Sequence, residues 1–211
     1  MRLLNYGRRG LLVELDSLDE ALQLSTDLER RRPEGVAELI PGARTVLIRF
    51  DPTHTSPAVL SAELTVRAGA NGAQEKVDTV QLDEAAVEIP VVYDGADLAE
   101  VARLTGLSAA EVVDRHCSAS YRVAFTGFAP GFGYLSGGDA ALVVPRRSTP
   151  RTRVPTGAVG LAGEFTGVYP RPGPGGWQII GRTEATMWDL QRTPAAVLRP
   201  GVNIVFRAVS S

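Results

Sequence analysis

The stretch GFAPGFGYLSGGDAALVVPRRSTPRTRVPTGAVGLAGEFTGVYPRPGPGGWQIIG, residues 127–181, decides how the rest of the chain is read. It holds 13 of the 22 glycines and 7 of the 14 prolines, 20 of 36 where an even spread would place about 9. Glycine permits positive φ and close approach of backbone N–H groups, and proline stiffens what lies between. The composition therefore suits a preformed groove lined with main-chain donors, and equally the corners of a barrel. Helical periodicity is lost from Tyr121 onward, and short apolar runs at 122–126, 141–144, 178–180 and 202–207 are spaced by Gly and Pro. That half reads as a β-barrel.

Charge singles out the same stretch. Between residues 144 and 182, Arg146, Arg147, Arg151, Arg153, Arg171 and Arg182 face only Glu164, a local excess of +5 in a chain whose formal net charge is −2. Guanidinium forks bind carboxylate and phosphate oxygens in bidentate fashion, and each fork is also the ordinary partner of a surface carboxylate. The balanced global charge gives no pull toward nucleic acid or an acidic membrane surface, so any anion site is local. Lys76 is the one lysine among 22 basic residues, and Ala73-Gln74-Glu75 before it excludes a phosphate-cradling P-loop.

Outward toward the amino terminus, residues 87–93 read as a strand followed by helices over 98–104 and 108–116, the second opened by a Ser108/Glu111 capping box. Residues 69–84 are polar and set a boundary between domains spanning 1–80 and 85–211. In the first, strands at 3–6 and 11–15, a helix capped by Ser17 and Glu20, a hairpin of 37–40 and 45–50, and a helix opening at Pro57 give a two-layer α+β unit of ferredoxin-like type. Cys117 cannot form an internal disulfide, and two histidines leave no zinc set. Neither a signal peptide nor an apolar run of about 18 residues is apparent, which points to a reducing, cytoplasmic setting without membrane contact.

The runs at 127–137, 145–170 (PRRSTPRTRVPTGAVGLAGEFTGVYP) and 174–183 (PGGWQIIGRT) resemble the signature of the bacterial 5-oxoprolinase B-subunit family, whose members are also called KipI or allophanate hydrolase subunit 1. The resemblance implies an α+β chain with a small amino-terminal domain and a cyclophilin-like β-barrel. It further implies work with the C and A subunits of that enzyme, opening the lactam of 5-oxo-L-proline to L-glutamate at the expense of ATP, with magnesium as the counter-ion of ATP and no protein-bound metal. The family also includes a KipI-type regulator that inhibits autophosphorylation of a histidine kinase, and related domains occur in urea and allophanate metabolism.

Carried onto matching positions, the resemblance makes Arg146, Arg151 and Arg182 anion-clamp candidates, each also suited to pinning a barrel loop. Phe128, Pro130, Gly131, Phe132 and Tyr134 match the aromatic Pro-Gly loop, which would line a ring-shaped substrate, press on the C subunit or pack in the core. Gly175 and Gly176 would admit a ligand close to the backbone, and Gln178 would read an amide edge. His116 is the acid/base candidate of this half, with a structural histidine as the alternative. A Cys117–His116 dyad is rejected because chain neighbours rarely aim side chains at each other. His54 and Asp189 receive no role.

Overall fold

The computed structural model of the chain describes residues 1–71 and 85–210, with side chains described up to 67 in the first stretch. Lys76 and most of the 69–84 boundary lie outside them. The chain divides into two compact units, Met1–Gln81 and Leu82–Ser211.

The smaller unit runs β1 (Arg2–Asn5), β2 (Gly10–Glu14), α1 (Leu18–Arg30), β3 (Val36–Pro41), β4 (Thr45–Phe50) and α2 (Pro57–Asn71). Its sheet has the order β1-β2-β4-β3 with every pair antiparallel. β2 and β3 thus run parallel on either side of β4 and are joined through α1, the split β-α-β arrangement expected from the element order. β1 fills the outer edge beside β2. Alternation puts Leu11 and Val13 of β2 and Val46, Ile48 and Phe50 of β4 on the helix-facing side, where Ala21 and Leu28 of α1 and Leu60 and Leu64 of α2 cover them. Each such aliphatic side chain contributes about 1.5–3 kcal/mol by leaving water. Ser17 accepts from Glu20 N–H at 3.2 Å, while the Glu20 carboxylate reaches back to Asp16 N–H at 3.2 Å, so the cap closes one residue earlier than the expected box.

The larger unit contains β5 (Val87–Val91), α3 (Leu98–Thr105), α4 (Ala109–Ser118), β6 (Tyr121–Thr126), β7 (Gly133–Ser136), β8 (Arg151–Val154), β9 (Ala158–Ala162), β10 (Phe165–Val168), β11 (Gly173–Gly175), β12 (Gln178–Arg182) and β13 (Asn203–Ala208). Seven strands form one sheet in the order β12-β9-β10-β7-β6-β13-β5, antiparallel except for the parallel pair β13–β5. The ends of that sheet are stitched together. Val92 and Arg182 exchange backbone hydrogen bonds at 2.9 Å each, and Gly95 and Asp97 N–H donate to Ile180 and Ile179 carbonyls at 3.1 and 2.8 Å. The result is a nearly closed barrel filled by Ile89, Val91, Val123, Leu135, Val159, Leu161, Val168, Ile180 and Ile204. β8 and β11 pair separately as a two-stranded ribbon.

One expected strand is absent. Residues 140–142 form a 3-10 turn because the Asp139 carboxylate caps it, accepting from Ala141 N–H at 2.8 Å, and only Val144 reaches a strand-like bridge, with Gly163. Conversely, the glycine-rich stretch supplies β9 and β10, where Gly160 pairs with Gly167. A Cβ on Gly167 would stand 3.0 Å from the Phe132 ring and 3.1 Å from Trp177, so the bare backbone is what lets those aromatic rings lie against the sheet.

Candidate functional site

Thr126 ends β6 and the chain turns over 127–132 before entering β7. Ala129 N–H donates to the Gly127 carbonyl at 2.7 Å and Phe132 N–H to Ala129 at 2.9 Å. The tightness of this turn forces Phe128 to φ 64°, the one non-glycine residue at positive φ among the described residues. A bulky residue there is strained by about 1–3 kcal/mol. Its ring is nevertheless 56% exposed, with edge contacts to Phe132 at 5.3 Å and Tyr169 at 5.9 Å. Pro130 is exposed and Gly131 is buried against Trp188 and Pro170. Phe132 packs inside, and Tyr134 is half-buried and stacked on Phe125 at 4.4 Å. Within the loop, then, Phe128 and Pro130 are presented outward and the others support them. One side of the loop borders a cavity of about 500 Å³ that Trp188, Leu198 and Pro200 also line.

The β8–β11 ribbon meets the same end of the barrel. A Cβ on Gly173 of the ribbon would stand 3.9 Å from the Phe128 ring, and Gly175 is pressed so closely on the Tyr169 hydroxyl that a Cβ would stand 2.3 Å from it. Burial raises the Tyr169 pKa, opposed by Trp177 N–H, which donates to the phenol oxygen, and by the nearby Arg146 and Arg151 guanidiniums. Tyr169 thus links Phe128 and Gly175, which it touches, to Arg146 and Arg151, which act on it electrostatically.

The arginines divide in a way the sequence did not reveal. Asp97, at 2% exposure, takes Arg151 in a bidentate fork at 2.7 and 2.8 Å, Arg147 at 2.5 Å and Ile179 N–H at 2.7 Å. Burial alone would raise the Asp97 pKa, but the Arg151 fork, the Ile179 amide and the Arg147 charge together hold it below the ordinary carboxylate value. Arg151 is thus committed to a buried carboxylate through its fork. Arg182 is likewise occupied, on Asp94 at 2.9 Å and Glu184 at 3.4 Å. Of the three clamp candidates only Arg146 is exposed and without a carboxylate partner among the described residues. Asp97 escaped notice because it has the type and place of a helix N-cap before α3, yet it makes no side-chain cap bond.

Gly176 accepts from Arg147 N–H at 2.8 Å, and Gln178, 4% exposed, donates Nε2–H to the Pro145 carbonyl at 3.2 Å. Its amide holds the chain just before Arg146 and does not present an edge to solvent.

Of the two roles open to His116, acid/base or structural, its placement fits the structural one. On α4 it is fully buried among Tyr93, Tyr121 and Phe206 rings. Thr166 gives its hydroxyl proton to the Gly160 carbonyl at 3.1 Å and so accepts from Nε2–H at 3.0 Å, which leaves Nδ1 to accept from Tyr93 O–H at 2.6 Å. Burial pushes its pKa down to about 3. A neutral imidazole with both nitrogens occupied inside the barrel is a structural cross-link. Cys117 donates to the Tyr93 hydroxyl at 3.3 Å and not to His116, in line with rejecting the dyad. Among the described residues no three His, Cys, Asp or Glu side chains are grouped to hold a metal ion, and no helix is long and apolar enough to cross a membrane.

A split α+β unit followed by a seven-stranded, nearly closed barrel with an arginine-bearing ribbon makes this a two-unit α+β protein. The family model for the carboxyltransferase domain, subdomain C and D, matches residues 1–198, and the chain belongs to that family, the one that includes the B subunit of 5-oxoprolinase. The 5-oxoprolinase B subunit of Escherichia coli O157:H7 is 42% identical over 176 residues, covering 81% of this chain and 77% of that protein. Its counterpart from Bacillus subtilis is 37% identical over 191 residues, 87% and 80% of the two chains. The solved structure of TTHA0988 superposes with a TM-score of 0.75 at 33% identity over 96% of this chain, which spans only 40% of that longer one. The Kluyveromyces lactis urea carboxylase shares the fold, with a TM-score of 0.71 at 20% identity over 99% of this chain and 22% of its own.

Proposed function

We propose that this chain is the B subunit of a cytoplasmic, ATP-dependent 5-oxoprolinase that acts with the A and C subunits to convert 5-oxo-L-proline to L-glutamate, and that it supplies part of a composite site at the ribbon end of its barrel. The observation that carries the reading is Arg146, an exposed guanidinium without a carboxylate partner among the described residues, which acts electrostatically on Tyr169, the same ring that the strained, exposed Phe128 touches edge-on. Relatives at 37–42% identity that bear the name of that subunit support it.

Amide resonance makes a lactam carbonyl a poor electrophile. Transfer of the ATP γ-phosphoryl group to the lactam oxygen removes that resonance. Water then adds to the carbonyl carbon and the C–N bond breaks, the ring nitrogen taking up a proton to become the amine of glutamate and leaving an acyl phosphate, which a second water hydrolyses to the side-chain carboxylate and phosphate. Charge develops on phosphate oxygens during transfer, and a positioned guanidinium stabilises it or holds the substrate carboxylate. Arg146 serves that need. Phe128 and Pro130 offer an apolar wall for a flat ring. ATP is a consumed substrate here, and magnesium arrives on its phosphates.

The test is reconstitution with the A and C subunits, following ADP and glutamate. Glutamate is expected only with all three polypeptides and ATP. Failure to form it, together with stoichiometric inhibition of a histidine kinase by the purified chain, would overturn the enzyme reading in favour of a regulator.

A further inference from the structure

Arg146 is fixed on both sides while its own side chain is left open. Before it, the Pro145 carbonyl accepts from Gln178 at 3.2 Å; after it, Arg147 donates its N–H to Gly176 at 2.8 Å and its guanidinium to Asp97 at 2.5 Å. Both anchoring side chains belong to the interior, Asp97 at 2% and Gln178 at 4% exposure. Asp97 has four acceptor positions and four contacts fill them, so neither Arg147 nor Arg151 can turn to a ligand without stripping a buried carboxylate.

Gln178 carries a further sign. Because Nε2 faces the Pro145 carbonyl, Oε1 points the other way and is buried with no hydrogen-bond partner. A leucine would fill the space without that penalty, so an amide at this position is explained by its hold on Pro145.

We infer that Asp97 and Gln178 are positioning residues that preorganise Arg146 as the anion contact of the site, the ligand atoms it takes being carboxylate or phosphate oxygens. This rests on the proposal that the ribbon end is the substrate site. Preorganisation matters because a guanidinium held in place loses little freedom when the anion arrives.

The reconstituted enzyme tests this with Arg146→Gln, Asp97→Asn, Gln178→Leu and the combinations of the last two with Arg146→Gln. Arg146→Gln is expected to raise KM for one anionic substrate about tenfold, as loss of a charge-assisted bond does, and the substrate affected, 5-oxo-L-proline or ATP, identifies whose oxygens it holds. Asp97→Asn and Gln178→Leu are expected to raise the same KM about threefold with little change in kcat, and to add nothing once Arg146 is glutamine. Gln178→Leu discriminates, since it removes an unpaired buried oxygen and keeps or raises Tm while KM still climbs. Unchanged KM in Arg146→Gln, or anchor effects of full size in the Arg146→Gln background, overturns the inference while the wild-type enzyme still turns over. A wild-type assembly that forms no glutamate overturns the functional reading and this inference with it.

Discussion

With Tyr93 donating to Nδ1 and Thr166 accepting from Nε2–H, a proton added to His116 would put a charge in the barrel interior and break the Tyr93 contact. The unfolded chain protonates this ring near pH 6.5, the folded chain at about 3, so between those values the unfolded state binds more protons. Stability from this group is complete above pH 6.5 and is lost as pH falls toward 3. Urea denaturation of the wild type is expected to lose about 1.4 kcal/mol per pH unit more than His116→Gln across that window. At Phe128 the conflict is between ring and backbone. Phe128→Gly is expected to be about 1 kcal/mol more stable than Phe128→Ala by thermal unfolding, since at φ 64° only glycine escapes the Cβ penalty. Both lose the exposed ring and are expected to show the same weakened substrate affinity. Phe128 and Arg146 stood out in the sequence because loop aromatics and local charge are visible one-dimensionally. The sequence left Arg151, Arg182 and His116 open between ligand and structural roles because ion pairing and burial depend on residues such as Asp97 and Thr166, far away in the chain.

At the level of elements, the helices and the hairpin of the smaller unit were legible, their apolar spacing and caps being local. In the barrel, β6, β12 and β13 were legible from β-branched runs, whereas glycine hid β9 and β10, and the Val143-Val144 pair beside Leu142 imitated a strand that Asp139 turns into a 3-10 turn. Barrel closure rests on a chain segment no propensity scale detects. Gly95 lies flat on β12, where a Cβ would be 2.2 Å from the Ile180 carbonyl carbon and 2.4 Å from Gly181 N. Gly95→Ala is expected to cost about 3 kcal/mol in chemical denaturation, the backbone having no room to yield. Ser108→Ala, which removes only the capping box of α4, serves as a milder reference at about 1 kcal/mol.

Across the whole molecule, a net charge of −2 coexists with a basic ribbon whose exposed Arg146, Arg153 and Arg171 have no carboxylate partners among the described residues. Salt screens such exposed charges but barely touches the buried Asp97 cluster. Raising ionic strength from about 0.05 to 0.5 M is expected to increase KM for the anionic substrate about threefold while Tm stays nearly constant. Because Val92, Gly95 and Asp97 already occupy the outer hydrogen-bonding edge of β12, that border of the sheet has no vacant row of amides and carbonyls for a foreign strand to lengthen. A companion polypeptide meeting this side of the barrel is confined to gripping side chains and loops, and its sequence can change freely in backbone register so long as it preserves the shape those loops demand.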